Sequence, residues 1–166
     1  QIDADIGPIE RKVAMGGGLE CALACDIRIA ERQAQMALPE AAVGLLPCAG
    51  GTQNLAWLVG EGWAKRMILC GDRVDADTAL RIGLIEQIVD TGEAPGTAPI
   101  LAAKVERQSP VSVRTIKPLI QGARERGPNG WLPEERERFV DLFDAQDTRE
   151  GVNAFLEKRE PQWQNK

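Results

Sequence analysis

Apolar residues form short runs in the first half of the chain and recur at helical spacing in the second half. In the first half the runs are bounded by Gly, Pro and Asp, which predicts short elements separated by turns. Residues 1–12 carry little periodicity and receive no assignment. Strands and helices then alternate, as is typical of an α/β layer. The predicted strands are 13–15, 27–30, 36–38 and 84–89, and the predicted helices are 18–25, 52–59, 62–70 and 76–82.

A segment rich in Gly, Pro and Thr, residues 91–99, separates the two halves and predicts a linker. Beyond it the apolar spacing indicates helices at 100–108, 111–126, 133–145 and 148–158. The chain is therefore predicted to consist of an α/β part in residues 1–90, the linker, and a helical region in residues 100–166.

Composition narrows the range of functions. A formal charge of −5 and a pI near 4.9 argue against general nucleic-acid binding, which requires a basic surface. No run approaches the ~20 apolar residues of a membrane span. The chain opens with polar and acidic residues rather than a secretory signal. We therefore expect a cytoplasmic protein with no membrane span and no nucleic-acid partner.

The chain contains neither histidine nor tyrosine. This excludes Ser-His-Asp and Cys-His catalysis and the His-ligated zinc sites. Acid–base chemistry is then left to carboxylates, lysine or cysteine. The cysteines show no CxxC pairing, so we expect buried, reduced thiols and no metal site. They are Cys21, Cys25, Cys48 and Cys70.

The glycine triplet Gly16-Gly17-Gly18 lies where a predicted strand passes into a predicted helix. Bare backbone lets a ligand approach closely, and the N–H groups at the start of a helix attract negative charge. The Gly17 N–H is therefore a candidate donor to an oxyanion. Glu20 would lie beside it in the first helical turn. The alternatives are a triplet that serves only close packing and a Glu20 that points into solvent.

Glu40 follows Pro39 at the start of a second predicted helical turn. If Glu20 and Glu40 face one cavity, their titrations are coupled, and one can hold a proton while the other stays ionised. Such a pair can bind a water molecule, take a proton from it and deliver another to carbon. The alternative makes Glu40 the second residue of a short helix, where its charge only favours the helix dipole.

Four stretches together resemble the crotonase (enoyl-CoA hydratase/isomerase) superfamily. The run Ala14 to Asp26 is similar to the family signature GGG-x-E-L-A-x-x-CD. Residues 38–53 resemble P-E-x-x-x-G-x-x-P-x-x-GGTQ, and residues 69–85 resemble LTG-x-x-x-x-A followed by GLV. Residues 150–159 are similar to the closing REG-x-x-AF-x-EKR. The resemblance covers residues 13–166.

The resemblance implies an α/β fold: a crotonase-like ββα spiral, present here in part, with a C-terminal α-helical region for oligomerisation. It implies trimers or paired trimers. It implies a thioester of coenzyme A or of an acyl-carrier protein as substrate, and no separate cofactor.

The resemblance also assigns roles. The catalytic glutamates fall on Glu20 and Glu40, and one of two oxyanion-binding N–H groups falls on Gly17. Gly16 and Cys48 match positions beside the substrate, and Cys48 replaces a glycine found in many hydratases. Two further substrate-binding positions, which contact the coenzyme's nucleotide portion, match Phe139 and Lys158. The alternatives are a core side chain at 139 and a solvated helix-end charge at 158.

Two departures from the family pattern bear on activity. The family's N-terminal half, which supplies the second oxyanion N–H, has no counterpart here. Removing one such donor typically lowers the rate by ~10²–10³, so the chain alone is expected to be weak or inactive. In addition, Arg11-Lys12 replaces an Asn-Gly pair ahead of Ala14.

The leading hypothesis is an enoyl-CoA hydratase, equally a 3-hydroxyacyl thioester dehydratase of fatty-acid metabolism, because both glutamates are kept. A second hypothesis is the branch that makes cis-2-unsaturated fatty-acid signals by dehydration and thioester hydrolysis. An enoyl-CoA isomerase and a non-catalytic homologue that serves as a scaffold or binds RNA also stay open.

Overall fold

A computed structural model describes residues 4–9, 13–126, 130 and 132–166. Its strands form two three-stranded sheets. The first sheet is parallel and contains β1 (Ile6–Ile9), β3 (Ile27–Glu31) and β6 (Gln87–Val89) in the order β1-β3-β6. The second contains β2 (Val13–Met15), β4 (Gln35–Ala37) and β5 (Val74–Asp75) in the order β2-β4-β5. Here β2 and β4 are parallel, and β5 is antiparallel to β4.

Helices connect and follow the strands. A glycine with non-helical angles, Gly60 (φ 77, ψ 161), divides the second helix at the position where the sequence predicts a stop. Short 3-10 turns occur, among other places, at Glu40–Val43 and Leu142–Asp144. The α-helices are α1 (Gly17–Ala24), α2 (Gly51–Leu69), α3 (Ala76–Arg81), α4 (Ala94–Glu106), α5 (Pro110–Arg126), α6 (Leu132–Asp141) and α7 (Gln146–Glu157).

The described residues form two compact units, Ala4–Ala102 and Ala103–Lys166. The N-terminal unit holds both sheets and α1 to α3. Its core is formed where α1, α2 and the second sheet meet. The fully buried members include Leu19, Met36, Leu38, Leu55 and Met67. This packing fixes α1, which carries the candidate glutamate Glu20.

Arg28 anchors the far end of α1. The side chain is 2% exposed, and its guanidinium donates to the carbonyls of Cys25 (2.7 Å) and Leu84 (2.8 Å). It also pairs with Glu86 at 2.5 Å. A buried guanidinium is tolerated only when its donors find partners. The end of α1 is thereby linked to strand β3, where Arg28 lies, and to the segment leading into β6.

The C-terminal unit holds α5 to α7 and ends in an extended segment, residues 160–166, named here the tail. Asp147, 1% exposed at the start of α7, accepts hydrogen bonds from the backbone N–H groups of Gln164 (2.7 Å) and Asn165 (3.0 Å). The Trp163 indole N–H donates to the Arg107 carbonyl at 2.8 Å. The tail is therefore bound along the unit rather than extended into solvent.

Glu150 binds the same tail. Its carboxylate accepts from the guanidinium of Arg159 and from the Gln162 N–H at 2.7 Å. These contacts, the Arg159 side chain first, lower the pKa of Glu150 to about 2.

The strand–helix alternation is confirmed, but several boundaries differ from the predicted ones. Residues 94–99 of the predicted linker belong to α4, because Ala94 is fully buried beside Ile29 and Val89. Strands β1 and β5 were not predicted, since each is short and is defined by pairing with a distant strand. The predicted strand 84–89 is reduced to Gln87–Val89.

Burial of the cysteines was predicted wrongly. Cys21, Cys48 and Cys70 are exposed and Cys25 is partly buried, although all four thiols are free. The Arg11-Lys12 pair lies outside the described residues.

Candidate functional site

The glycine triplet forms the junction between strand β2 and helix α1. Gly16 has φ 54, a conformation that glycine adopts without strain. Its N–H donates to the Ala37 carbonyl at 3.2 Å, and its own carbonyl accepts from the N–H groups of Leu19 and Glu20 at 2.9 and 3.0 Å. The start of α1 is thereby held against the end of β4.

Gly17 is the first residue of α1 and is exposed. The first N–H groups of a helix have no carbonyl of their own helix to bind. A side chain built at Gly17 or Gly18 would meet nothing within 4 Å. The junction therefore presents open backbone at the positive end of a helix, as the sequence predicts.

Glu20 is anchored by the loop that precedes α2. Only 4% of the residue is exposed, and its Oε1 accepts hydrogen bonds from the N–H groups of Ala49 and Gly51, both at 2.8 Å. A Cβ at Gly51 would lie 2.7 Å from that oxygen. The alternative of a Glu20 pointing into solvent is wrong.

The Glu40 carboxylate lies beside Gly16, the residue that precedes α1. Glu40 is the first residue of the 3-10 turn after Pro39, and its Oε1 lies 3.2 Å from the position a Cβ would occupy at Gly16. Its Oε2 is buried and has no hydrogen-bond partner among the described residues. A buried carboxylate oxygen without a donor is rare and needs an explanation, for example a bound water or ligand.

Glu20 belongs to the first turn of α1, and the Glu40 carboxylate lies against Gly16, which precedes that turn, but the two carboxylates are held differently. Glu20 is fixed through one oxygen by two backbone donors, whereas Glu40 keeps a buried oxygen for which the described residues supply no partner. An acceptor of this kind can bind a water molecule or a polar group of a substrate. The arrangement has the components of acid–base chemistry beside an anion-binding helix terminus.

Cys48 lies in the loop between Glu40 and α2, directly before the donor Ala49, and its side chain is exposed. The loop is shaped by Gly44 in the left-handed conformation (φ 74) and by the buried Pro47. The thiol is free and exposed to solvent. Its predicted contact with substrate stays a prediction.

The sequence did not indicate that Ala49 and Gly51 would hold Glu20. Each donates through its backbone N–H, a role that cannot be recognised from the identity of the side chain. The available signal was the pair Gly50-Gly51 directly before a predicted helix, a site where backbone donors are unpaired.

Phe139 and Lys158 belong to the C-terminal unit. Phe139 is 61% exposed and packs edge-on against Phe143, with ring centroids 5.1 Å apart, so the alternative of a core side chain is wrong. Lys158 ends α7 in the left-handed conformation (φ 54) and is exposed. Their roles as contacts to the coenzyme remain predictions.

The described part of the chain contains neither a cluster of metal-ligating side chains nor a helix able to span a membrane. No group of three or more metal-ligating side chains is found within residues 4–9, 13–126, 130 and 132–166. Over these same ranges, no helix has the length and apolar character to cross a bilayer.

The family model for enoyl-CoA hydratase/isomerase matches residues 11–166. The chain belongs to this family. Among curated family members, it is 40% identical to the short-chain-enoyl-CoA hydratase of Clostridium acetobutylicum, over 88% of the chain and 56% of that protein. It is 35% identical to the 2,3-dehydroadipyl-CoA hydratase of Escherichia coli, over 92% of the chain and 60% of that protein.

Solved structures of the enoyl-CoA hydratase/isomerase family confirm the fold class. Pseudomonas aeruginosa DspI is 86% identical with a TM-score of 0.89, over 92% of this chain and 58% of DspI. The enoyl-CoA hydratase of Bacillus anthracis is 36% identical with a TM-score of 0.88, over 93% of this chain and 60% of that one. The chain thus spans somewhat more than half the length of these relatives.

Proposed function

We propose that this chain carries the acid–base site of an enoyl thioester hydratase, which also runs in reverse as a 3-hydroxyacyl thioester dehydratase. The observation that carries the proposal is that Glu20 lies in the first turn of α1, while the Glu40 carboxylate lies against Gly16 directly before that turn and keeps a buried oxygen with no partner among the described residues. Family membership and curated relatives named as enoyl-CoA hydratases support the same reaction.

In this proposal a water molecule binds between the two carboxylates. One carboxylate removes a proton from the water as its oxygen bonds to C3 of the enoyl group. The other glutamate, present as the carboxylic acid, delivers its proton to C2. The Gly17 N–H donates to the thioester oxygen, which carries negative charge in the enolate, and the positive end of α1 adds to this stabilisation.

Several further features belong to the proposal. The substrate is a thioester of coenzyme A or of a carrier protein, contacted by Gly16 and Cys48 and, through the nucleotide portion, by Phe139 and Lys158. The protein acts as a homo-oligomer in the cytoplasm and needs no separate cofactor. Free thiols throughout the chain are consistent with a reducing compartment.

The first test compares the wild type with Glu20→Gln and Glu40→Gln variants in the hydration of a short 2-enoyl-CoA. Each substitution is assayed both in this chain and in the longest natural form of the protein. General acid–base catalysis is worth about 10²–10⁴ in rate, so each variant should lose about that factor in kcat. The amide oxygen introduced by Glu20→Gln can still accept from Ala49 and Gly51, so folding should be preserved, as circular dichroism would check.

Glu106→Gln, which changes an exposed carboxylate on α4, is the matched control and should keep wild-type turnover. Wild-type rates in both glutamine variants would refute the acid–base assignment.

A second candidate is dehydration followed by thioester hydrolysis to a cis-2-unsaturated acid. The observation that favours it is Cys48, an exposed thiol at a position where many hydratases have glycine. The two candidates differ in product, because hydrolysis releases a free acid and a thiol. Incubation with a 3-hydroxyacyl-CoA, with P. aeruginosa DspI assayed in parallel, followed by mass spectrometry and thiol titration, separates them.

A further inference from the structure

The N-terminal unit has a groove whose lining includes neither Glu20 nor Glu40. It has a volume of about 530 Å³ and is enclosed by strands β1 and β2 and helix α1. Apolar side chains line most of it, but two cysteines on one face of α1 also line it. The relevant wall residues are Gly7, Ile9, Met15, Cys21 and Cys25.

Cys21 and Cys25 are one helical turn apart on α1. Cys21 is exposed, and the Cys25 Sγ donates to the Cys21 carbonyl at 3.5 Å. A Cβ at Gly7 would lie 2.8 Å from that sulfur, so the bare backbone of Gly7 makes room for it. Burial, followed by the nearby Asp5 charge, raises the pKa of the Cys25 thiol, which therefore remains protonated at neutral pH.

The spacing is unsuitable for a disulfide. Cβ atoms four residues apart on a helix are about 5–6 Å apart, whereas a disulfide requires a Cβ separation of about 3.5–4.5 Å. A single soft atom bonded to both sulfurs allows a larger separation between them than a direct S–S bond does. Two metal–thiolate bonds of about 2.3 Å at a tetrahedral centre place their sulfurs about 3.8 Å apart, compared with about 2.05 Å in a disulfide. The intact helix therefore favours a one-atom bridge over direct oxidation.

We propose that Cys21 and Cys25 form a binding site for thiophilic ligands that bond two sulfurs at once, with monosubstituted trivalent arsenicals as the representative class. In the reaction with phenylarsine oxide, two As–S bonds form while the As–O bond and both S–H bonds break. The oxygen leaves as water with the two protons, and arsenic stays trivalent. The phenyl group would lie in the apolar groove.

The test is titration of the reduced chain with phenylarsine oxide, followed by intact-mass measurement and thiol counting. One adduct per chain is expected, with reactive thiols falling from four to two. A dithiol should reverse the adduct, whereas excess glutathione should not, because two-point attachment raises affinity by about 10² or more over a single bond.

Variants locate the site. A Cys48→Ser/Cys70→Ser double variant should still take one arsenical with unchanged affinity. Cys21→Ser and Cys25→Ser should each weaken binding by about 10² and make the adduct sensitive to glutathione. Circular dichroism checks folding, and Cys25→Ala serves as a second variant at the less exposed position.

Loss of the adduct in the Cys48/Cys70 variant would overturn the proposal. So would tight binding that survives removal of Cys21 or Cys25. Because the readout is binding, this outcome is independent of hydratase activity.

Discussion

Glu20 is held by two backbone N–H groups, so its position depends on the local shape of the loop before α2. Gly51 contributes one of these donors and lies too close to the carboxylate for any side chain. A Cβ there would be 2.7 Å from both Glu20 Oε1 and Pro47 Cβ. The glycine is therefore required by the carboxylate and the proline packed against it.

We predict that Gly51→Ala destabilises the fold by about 1–3 kcal/mol, the usual effect of overpacking a buried site. It should also lower hydratase turnover by about 10² or more, because a displacement of about 1 Å at a reacting group has that effect. Chemical denaturation and the enoyl-CoA assay measure the two quantities.

Gly62→Ala is the matched control in the same helix. A Cβ there meets nothing within 4 Å, and replacing a helical glycine stabilises by about 0.5–1 kcal/mol. Equal behaviour of the two variants would show that the contact with Glu20 is unimportant.

At this scale the sequence predicted the glycine junction and its helix but not how Glu20 is held. The glycine triplet and its helix were evident because a strand-to-helix junction has a local signature. The contacts of Glu20 with Ala49 and Gly51 join residues about thirty positions apart through backbone atoms. No local pattern encodes such contacts. The prediction that Cys21 is buried was wrong for a related reason, since the face of α1 that carries Cys21 lines a groove.

Among the elements, the tail of residues 160–166 depends most on a single side chain. Asp147 accepts from the N–H groups of Gln164 and Asn165 and from the Ser109 hydroxyl at 3.2 Å. Hydrogen bonds to a charged group are worth about 1.5–3 kcal/mol each. Removing the charge at this buried position should release the tail.

We predict that Asp147→Ala lowers the free energy of local opening of the tail by about 2–4 kcal/mol, since buried N–H groups lose their acceptor. Hydrogen exchange at Gln164 and Asn165, read by NMR or mass spectrometry, should accelerate accordingly. Asp144→Ala changes an exposed carboxylate in the neighbouring 3-10 turn and should leave exchange unchanged. Unchanged protection in the Asp147 variant would contradict this account.

Helix α4 shows where element prediction fails. Residues 94–99 contain glycine and two prolines, which indicate a loop by propensity. Burial of Ala94 against Ile29 and Val89 outweighs that preference. Strand β1 likewise becomes a strand through its parallel pairing with β3. Predictions from local sequence therefore succeed in α1 and at Gly60 and fail where a distant partner decides.

On the scale of the molecule, the C-terminal unit exposes more apolar surface than a solvated helical unit needs. Large side chains on α6, the following 3-10 turn and α7 are each more than half exposed. They are Phe139, Val140, Phe143, Val152, Phe155 and Leu156. Apolar patches of this kind mark interaction sites, and we propose a second copy of the protein as the occupant.

We predict that Phe155→Ser, which alters a side chain 82% exposed, shifts the protein from oligomer to monomer. Loss of a buried aromatic anchor weakens an interface by about 2 kcal/mol or more, equivalent to about thirtyfold in the dissociation constant. Analytical ultracentrifugation over a concentration series measures the shift. Asn153→Ser, an exposed polar change on the same helix, should leave the sedimentation unchanged. A wild-type protein that is monomeric throughout would contradict the proposal.

Pro8 affects how readily strand β1 can pair with a strand of another molecule. The strand lies at the outer edge of its sheet among the described residues, and its proline offers no N–H to an incoming chain. Unpaired edge strands promote the stacking of chains into fibrils in concentrated preparations. Proline in an edge strand is one of the devices that natural proteins use to prevent this. Strand β2 (Val13–Met15), which lies at the edge of the second sheet, contains no proline. At high concentration, strand-by-strand growth should therefore occur more readily at the β2 edge than at the β1 edge.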